Sequence, residues 1–351
     1  MEENDFRKWY EEHQKSHEAL GRVTIGILTD LLKQRGIDYL SVAGRTKSLE
    51  SAIDKSVRKG MSDPTTQIQD FCGVRVVTFV EKDILQVARL IKECFHVHPE
   101  ESADKSVELG TDRMGYRSIH FICDLGEERL ELEEFNSYKN LVLEIQVRTV
   151  LQHAWAEIGH DRSYKFSGIL PQELERKLNL AAGLLEVADG LLDTLAQQID
   201  RYSLSVSRRG HDGDLNIEVN SITLYQYLTE RAGKMGWPFL RATISAEEKN
   251  LLMREAQDFG LKTIRDLDQL VTEQFLKACE KRGKSPTTPL GLLRLILMFN
   301  DIEKFLITTW GRRWSNMQLV TYKILIQKYD RLKLNESLRK RGITPMITFW
   351  E

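Results

Sequence analysis

The stretch Leu141-Val-Leu-Glu-Ile-Gln-Val-Arg148 decides how the rest of the chain is read. Successive strand side chains point to opposite faces, so Glu144, Gln146 and Arg148 share one side with Val142, and Leu141, Leu143, Ile145 and Val147 form the other. A strand patterned this way buries one face in a core. It turns the other to solvent or to a site.

Composition narrows the classes. Of 351 residues, 41% are hydrophobic and 29% charged, which suits a soluble chain long enough for about two domains. The formal net charge of -2 gives no global argument for nucleic acid. Cys72, Cys94, Cys123 and Cys279 lie far apart with no Cys-x-x-Cys pair, as expected of reduced thiols, and give no zinc signature. The acidic N-terminus and the lack of a span-length apolar run predict a cytoplasmic protein with no membrane association.

From Asp5 to Gln34 the residues Trp9, Leu20, Val23, Ile27, Leu28 and Leu31 keep helical spacing as far as Gly36, which predicts a scaffold helix. His13 and His17 are spaced like a metal pair but lack a third ligand, so a solvated surface is expected for both. Between Gly44 and Gly60 the pattern predicts a helix entered near Lys47. Lys47, Ser51, Lys55 and Arg58 then form a polar stripe, and Leu49, Ile53 and Val57 face inward. Together with Arg45 and the helix N-terminal amides, this row suits a polyphosphate, and a solvated basic face explains it equally well. It is not a Walker A loop.

The second half of Gln67–Val80 predicts a buried strand, with Asp70 just ahead of it and Arg75 inside, both needing partners. A helix over Asp83–Glu93 follows, an order that suggests an α/β or α+β domain. Gly110 and Gly115 punctuate a loop, after which Tyr116, Ser118 and His120 share a strand face. A ring to stack on and polar groups to orient make a base-binding wall, although such residues are also common on half-exposed strands. Arg113 and Arg117 add cationic reach.

A short helix over Thr149–Asp161 carries His153, Trp155 and Glu157. Pro171 opens a long helix with Leu174, Leu178, Ala181, Leu185, Ala188, Leu192, Leu195 and Ile199 spaced four and three apart. That seam suits either the N-terminal helix or a second subunit, so the 171–202 helix is the expected contact of a homo-oligomer. Small, polar, glycine-bearing residues over Ser203–Asp214 mark a boundary between domains 1–205 and 215–351. Beyond it the chain reads as helical, with a capping box at Ser245–Glu248 and breaks at Gly260 and Gly283. The basic segment Tyr322–Gly342 reads as a solvated helix face, or as a surface for RNA or an acidic partner.

Cations for phosphates, two carboxylates for magnesium and a platform for a base are what nucleotide phosphoryl chemistry requires. At this point the sequence resembles the RelA/SpoT-type (p)ppGpp synthetases over roughly Gly44–Lys165, with flanking helices like those of the small alarmone synthetases. The family's Arg-x-Lys-x-x-x-Ser-x-x-x-Lys-x-x-Arg falls on Arg45, Lys47, Ser51, Lys55 and Arg58, and its Asp-x-x-Gly-x-Arg on Asp70, Gly73 and Arg75. Gly-Tyr-x-Ser-x-His falls on Gly115, Tyr116, Ser118 and His120, and Glu-x-Gln-x-Arg-Thr on Glu144, Gln146, Arg148 and Thr149.

The resemblance implies an α+β fold, a mixed β-sheet flanked by helices in a nucleotidyltransferase-like synthetase domain, followed here by an all-α domain of regulatory or partner-binding role. It implies pyrophosphate transfer from ATP to the 3'-hydroxyl of GTP or GDP. Arg45, Lys47, Ser51, Lys55 and Arg58 would hold ATP, with Arg75 supporting charge, and Asp70 and Glu144 would bind Mg2+, Glu144 also serving as base. Tyr116, Ser118, His120, Gln146, Arg148, Arg113 and His153 would surround the acceptor.

Departures bear on the acceptor. The family's loop lysine is missing, with Arg113 as its substitute, and His153 stands where asparagine is frequent. With no hydrolase-like region ahead of the synthetase motifs, synthesis without alarmone hydrolysis is expected. The alternatives are a toxic relative, of toxin-antitoxin type, acting on tRNA 3' ends or adenine nucleotides, and a catalytically silent nucleotide-binding regulator.

Overall fold

The computed structural model describes residues 2–104, 118–165, 171–240, 244–280, 286–311 and 314–345, which fall into two compact units, 1–197 and 198–351. Tyr116 and Arg113 lie outside the described residues, as do Arg117 and Gly283.

The first unit is a mixed sheet flanked by helices. Its elements are α1 (Glu3–Arg35), β1 (Ser41–Thr46), α2 (Leu49–Arg58), β2 (Cys72–Thr78), α3 (Glu81–Cys94), β3 (His96–Val97), β4 (Ala103–Asp104), β5 (Ile119–Asp124), β6 (Leu143–Thr149), α4 (Val150–Lys165) and the start of α5 (Gln172–His211). The strands run β1-β2-β6-β5-β3, with β4 also pairing β5. The central β2–β6 pair is parallel and the others are antiparallel.

Alternation decides what each face carries. Val74, Val76, Phe121, Cys123, Leu143, Ile145 and Val147 are buried in one cluster with Leu20, Leu28 and Leu32 of α1 and Ile84, Val87 and Ile91 of α3. The apolar side of the opening stretch is therefore core, and its polar side is the far face of the sheet. At the end of α1, Gly36 sits at φ 64, a left-handed cap open to glycine, and its N–H bonds to the Leu32 and Lys33 carbonyls.

The start of α1 packs on α2 through a second cluster of Phe6, Tyr10, Ala52, Ile68 and Phe71, with Trp9, Leu49 and Ile53 against it. Three sequence expectations need correction here. Lys47 is not helical: Ser48 caps α2, accepting from the Ser51 N–H at 3.2 Å, while the Lys47 N–H bonds to the Phe71 carbonyl. Val57 is 75% exposed rather than inward, because the helix is a single amphipathic layer whose buried residue is Ala52. His17 is not on a solvated surface: it is 5% exposed beside Trp9 and Phe71, while His13 stacks on Trp9 with centroids 4.5 Å apart.

Along α5 the buried residues of the first unit are Ala182 and Asp189; of the expected seam Leu178, Ala181, Leu185 and Ala188 are partly buried, and Leu174, Leu192, Leu195 and Ile199 are exposed. Two carboxylates anchor the helix: Asp189 accepts from the Thr149 hydroxyl at 2.6 Å, and Asp193 from the Lys82 N–H at 2.7 Å. The segment read as a boundary at Ser203–Asp214 is helical as far as His211, since Ser and Gly lower helix propensity without forbidding it.

The second unit is mainly helical: α6 (Ser221–Lys234), α7 (Ala246–Asp258), α8 (Ile264–Leu270), α9 (Glu273–Glu280), α10 (Pro289–Asn300), α11 (Leu319–Leu325) and α12 (Arg331–Arg339), with shorter turns. Its core is centred on α10, whose Leu292, Leu293, Ile296, Leu297 and Phe299 are buried. The Ser245–Glu248 capping box is present. Glu255, fully buried, is held by Arg294 through contacts of 2.8 and 2.5 Å. The reading after Leu215 is corrected at two points. A short parallel strand pair joins Asn316–Met317 to Thr344–Pro345, and the basic segment is two helices broken before the Asp330 cap. Some of its cations serve packing: Lys328 donates to the Asn300 carbonyl and Arg341 to that of Leu306.

Both ring nitrogens of His17 lack a hydrogen-bond partner among the described residues, and burial, with His13 nearby, pushes the imidazole down to about 4. The folded form thus binds a proton more weakly than the unfolded one, so stability is lost as pH falls from about 6.5 through 4. Urea unfolding between pH 7 and 4 should show wild type losing on the order of 3 kcal/mol that His17→Leu retains. Parallel losses in the two proteins would contradict this placement.

Candidate active site

The polar face of the sheet is assembled by register. Parallel pairing sets Gly73 beside Glu144, Arg75 beside Gln146 and Val77 beside Arg148, while β1 sets Arg45 beside Gly73 and β5 sets His120 beside Gln146. In-register neighbours point the same way. Arg45, Arg75, Glu144, Gln146, Arg148 and His120 therefore share this face. A pocket between β1, β2 and β6 is lined by Arg45, Asp70, Gly73, Arg75, Glu144 and Gln146, among others.

Asp70 stands at the entrance to β2 between two lysines. Its Oδ2 lies 3.0 Å from Lys47 Nζ and its Oδ1 2.7 Å from Lys55 Nζ, with all three side chains 14–20% exposed. Lys47 reaches it because the Phe71 carbonyl holds the Lys47 backbone alongside, and Lys55 because it lies two helical turns into α2. The Tyr10 hydroxyl also bonds to the Lys47 carbonyl and fixes this corner on α1.

Glu144 is held differently. Its Oε1 meets His120 Nδ1 at 2.6 Å, its Oε2 accepts from Gln146 Nε2 at 2.6 Å, and Ser118 Oγ lies 2.7 Å from the other His120 nitrogen. Burial pushes the carboxyl up, but the His120 contact, the Gln146 bond and the Lys55 charge outweigh it and hold the group at about 2. Glu144 is an anion across the neutral range. One carboxylate is thus bound by ammonium groups and the other by an imidazole and an amide.

Arg75 crosses from β2 to α4, where its Nη1 donates to Glu157 Oε1 at 2.7 Å and lies 3.2 Å from His153 Nδ1. Burial and the neighbouring Arg75 charge lower the His153 pKa, which favours the neutral ring there. Arg148 is 8% exposed beneath this layer. Thr149 starts α4 by accepting from the Gln152 N–H and ties it to Asp189.

Of the residues singled out from sequence, Arg45, Asp70, Arg75, Glu144 and Gln146 border one pocket, Lys47 and Lys55 reach its Asp70, His120 reaches its Glu144, and Ser118 backs His120. Ser51 and Arg58 are exposed on α2. Sequence reasoning passed over Glu157 as a partner for Arg75. An acidic residue four positions after His153 was the available signal.

The first unit is an α+β domain in which Asp70 and Glu144 border one pocket with Arg45 and Arg75, and Lys47 and Lys55 are paired to Asp70. Residues 44–168 match the family model RelA_SpoT, described as "Region found in RelA / SpoT proteins". The chain is similar to GTP pyrophosphokinase YwaC of Bacillus subtilis, 28% identical over 160 residues covering 44% of this chain and 73% of that protein. It is also similar to GTP pyrophosphokinase YjbM of the same organism, 25% identical over 173 residues, 48% and 77% of the two chains. The small alarmone synthetase 1 structure from Bacillus subtilis covers 56% of this chain and 99% of its own, at 24% identity and a TM-score of 0.46.

The low pKa of Glu144 depends on His120. In His120→Phe the burial remains and the stabilising contact is lost, so the Glu144 carboxyl should titrate well above its wild-type midpoint near 2. Carboxyl-carbon NMR of glutamate-labelled protein reads this directly. An unchanged midpoint would show that Gln146 and Lys55 suffice.

Proposed function

We propose that the first unit transfers the terminal pyrophosphoryl group of ATP to the ribose 3'-hydroxyl of GTP or GDP, giving AMP and (p)ppGpp. The observation that carries the reading is the pocket shared by Asp70 and Glu144, with Arg45 and Arg75 in its lining and Lys47 and Lys55 on Asp70. The naming of the relatives YwaC and YjbM as GTP pyrophosphokinases supports it.

Asp70 and Glu144 are the residues that would hold Mg2+. Their carboxylates are hard oxygen donors bordering one pocket, a donor set that fits this ion. When bound, the ion neutralises phosphate oxygens and helps align the triphosphate. Lys47 and Lys55 then exchange Asp70 for phosphate oxygens, joined by Arg45, with Ser51 and Arg58 along the same exposed edge of α2.

In the reaction the acceptor 3'-oxygen bonds to the β-phosphorus, the bond from that phosphorus to the α,β-bridging oxygen breaks, and AMP leaves with that oxygen. Glu144 accepts the hydrogen bond of the 3'-hydroxyl and orients it in line. A carboxylate this acidic is a stronger orienter than proton acceptor, and it takes the 3'-hydroxyl proton only as the new bond to phosphorus forms and that hydroxyl becomes more acidic. His120, Ser118 and Gln146 position the acceptor, and the family resemblance assigns Tyr116 and Arg113 to it as well. Arg75, which lines the pocket, and Arg148 on the same sheet face support charge, and His153 stands beside Arg75.

Purified protein with γ-labelled ATP and Mg2+ should place label on GDP or GTP. Glu144→Gln should lower that rate by about 10²- to 10⁴-fold. Label on tRNA or adenine nucleotides alone would replace the acceptor in this reading, and an unaffected Glu144→Gln rate would remove its mechanism.

A further inference from the structure

Away from the pocket, at the sheet's other edge, His96, His98 and Asp124 form a cluster with no part in the chemistry above. We propose that these residues bind one transition-metal dication of the zinc class, with His96 Nδ1, His98 Nε2 and Asp124 Oδ2 as ligands. The proposal does not depend on the assigned reaction.

The strands build the site. His96 opens β3 directly opposite Asp124 at the end of β5, so their side chains share a face. His98, two residues on, returns to that face, and its N–H bonds to the Ile122 carbonyl. His96 Nδ1 lies 2.8 Å and His98 Nε2 3.0 Å from the same oxygen of Asp124, and the three ligand atoms all lie within 4.8 Å of one another. A tetrahedral ion with bonds of about 2.0–2.2 Å sets its ligands about 3.3 Å apart. Small ring rotations reach that arrangement, widening the two N···O gaps slightly and drawing the nitrogens together.

The donor chemistry selects the metal. Two imidazoles and one carboxylate favour zinc, nickel or copper over magnesium. Two neutral imidazoles with one carboxylate carry a single negative charge, which a dication balances with one positive charge left over. The carboxylate is held in place from behind: its Oδ1 accepts from the Gly126 N–H at 2.8 Å, an outer-shell contact of the kind that fixes metal ligands. His96 is 64% exposed, which leaves a fourth position open to water.

The separation from the candidate active site follows from strand geometry. Asp124 is four residues beyond His120 on β5, roughly 13 Å along the strand. A metal here joins β3 and the turn after it to β5, a clasp at the sheet edge.

The test uses the full chain stripped with a chelator and titrated with Zn2+ against a chromophoric competitor, with Co2+ as a spectroscopic probe. Wild type should bind one equivalent of Zn2+, give the intense visible absorption of four-coordinate Co2+, and melt at a higher temperature with Zn2+ present. His96→Ala, at an exposed position where folding is not at stake, and His98→Gln should each weaken Zn2+ binding by at least about 10-fold and abolish the Co2+ band. No stoichiometric binding, or an affinity unchanged in both variants, would overturn the proposal.

Discussion

The parallel pairing of β2 with β6 is the constraint on which the first unit depends. Its register places Gly73 beside Glu144 and Arg75 beside Gln146, and in the same stroke buries Val74 and Val76 with Ile145 and Val147. A slip of one residue would send Glu144, Gln146 and Arg148 into an apolar core, at a cost of several kcal/mol for each uncompensated charge. Core burial therefore enforces the alignment of the polar face. The site needs no separate device to bring residues more than seventy positions apart onto one surface.

The two carboxylates reach one pocket in contrasting states. Asp70 is bound by lysines on flexible stems, whose ammonium groups can turn from one anion to another. Glu144 is bound by His120 and Gln146, both rising from the sheet itself, and is mostly buried. The first arrangement suits a corner that must accept a highly charged ligand. The second suits a group whose position must not change while the ligand arrives.

Much of this was legible because alternation is a local signal. The pattern Leu143 to Arg148 separates the two faces of the strand without knowledge of any neighbour. What the sequence could not convey is set by contacts between distant segments. Lys47 comes to Asp70 through a backbone bond to Phe71 rather than through a helix, and only the fold reveals that bond. His17 looks like a surface residue by spacing, yet Trp9 and Phe71 enclose it. The His96–Asp124 pair joins residues 28 positions apart, across a strand too short for periodicity to announce.

Helix α5 shows the same limit from the other side. Its leucine periodicity is strong, with Leu178, Ala181, Leu185 and Ala188 partly buried, and polar bonds pin it as well, Asp189 on the Thr149 hydroxyl and Asp193 on the Lys82 backbone. Burial, with the nearby Asp193 charge, raises the Asp189 pKa and the Thr149 donor opposes it, so among the described residues the Thr149 hydroxyl is what steadies this carboxylate. Thr149 is also where β6 ends and α4 begins, one residue beyond Arg148. Fixing that hydroxyl fixes the end of the strand that carries Glu144, Gln146 and Arg148, and the start of the helix that offers His153 and Glu157 to Arg75. A polar pair behind the sheet thereby sets the geometry of the charged face in front of it.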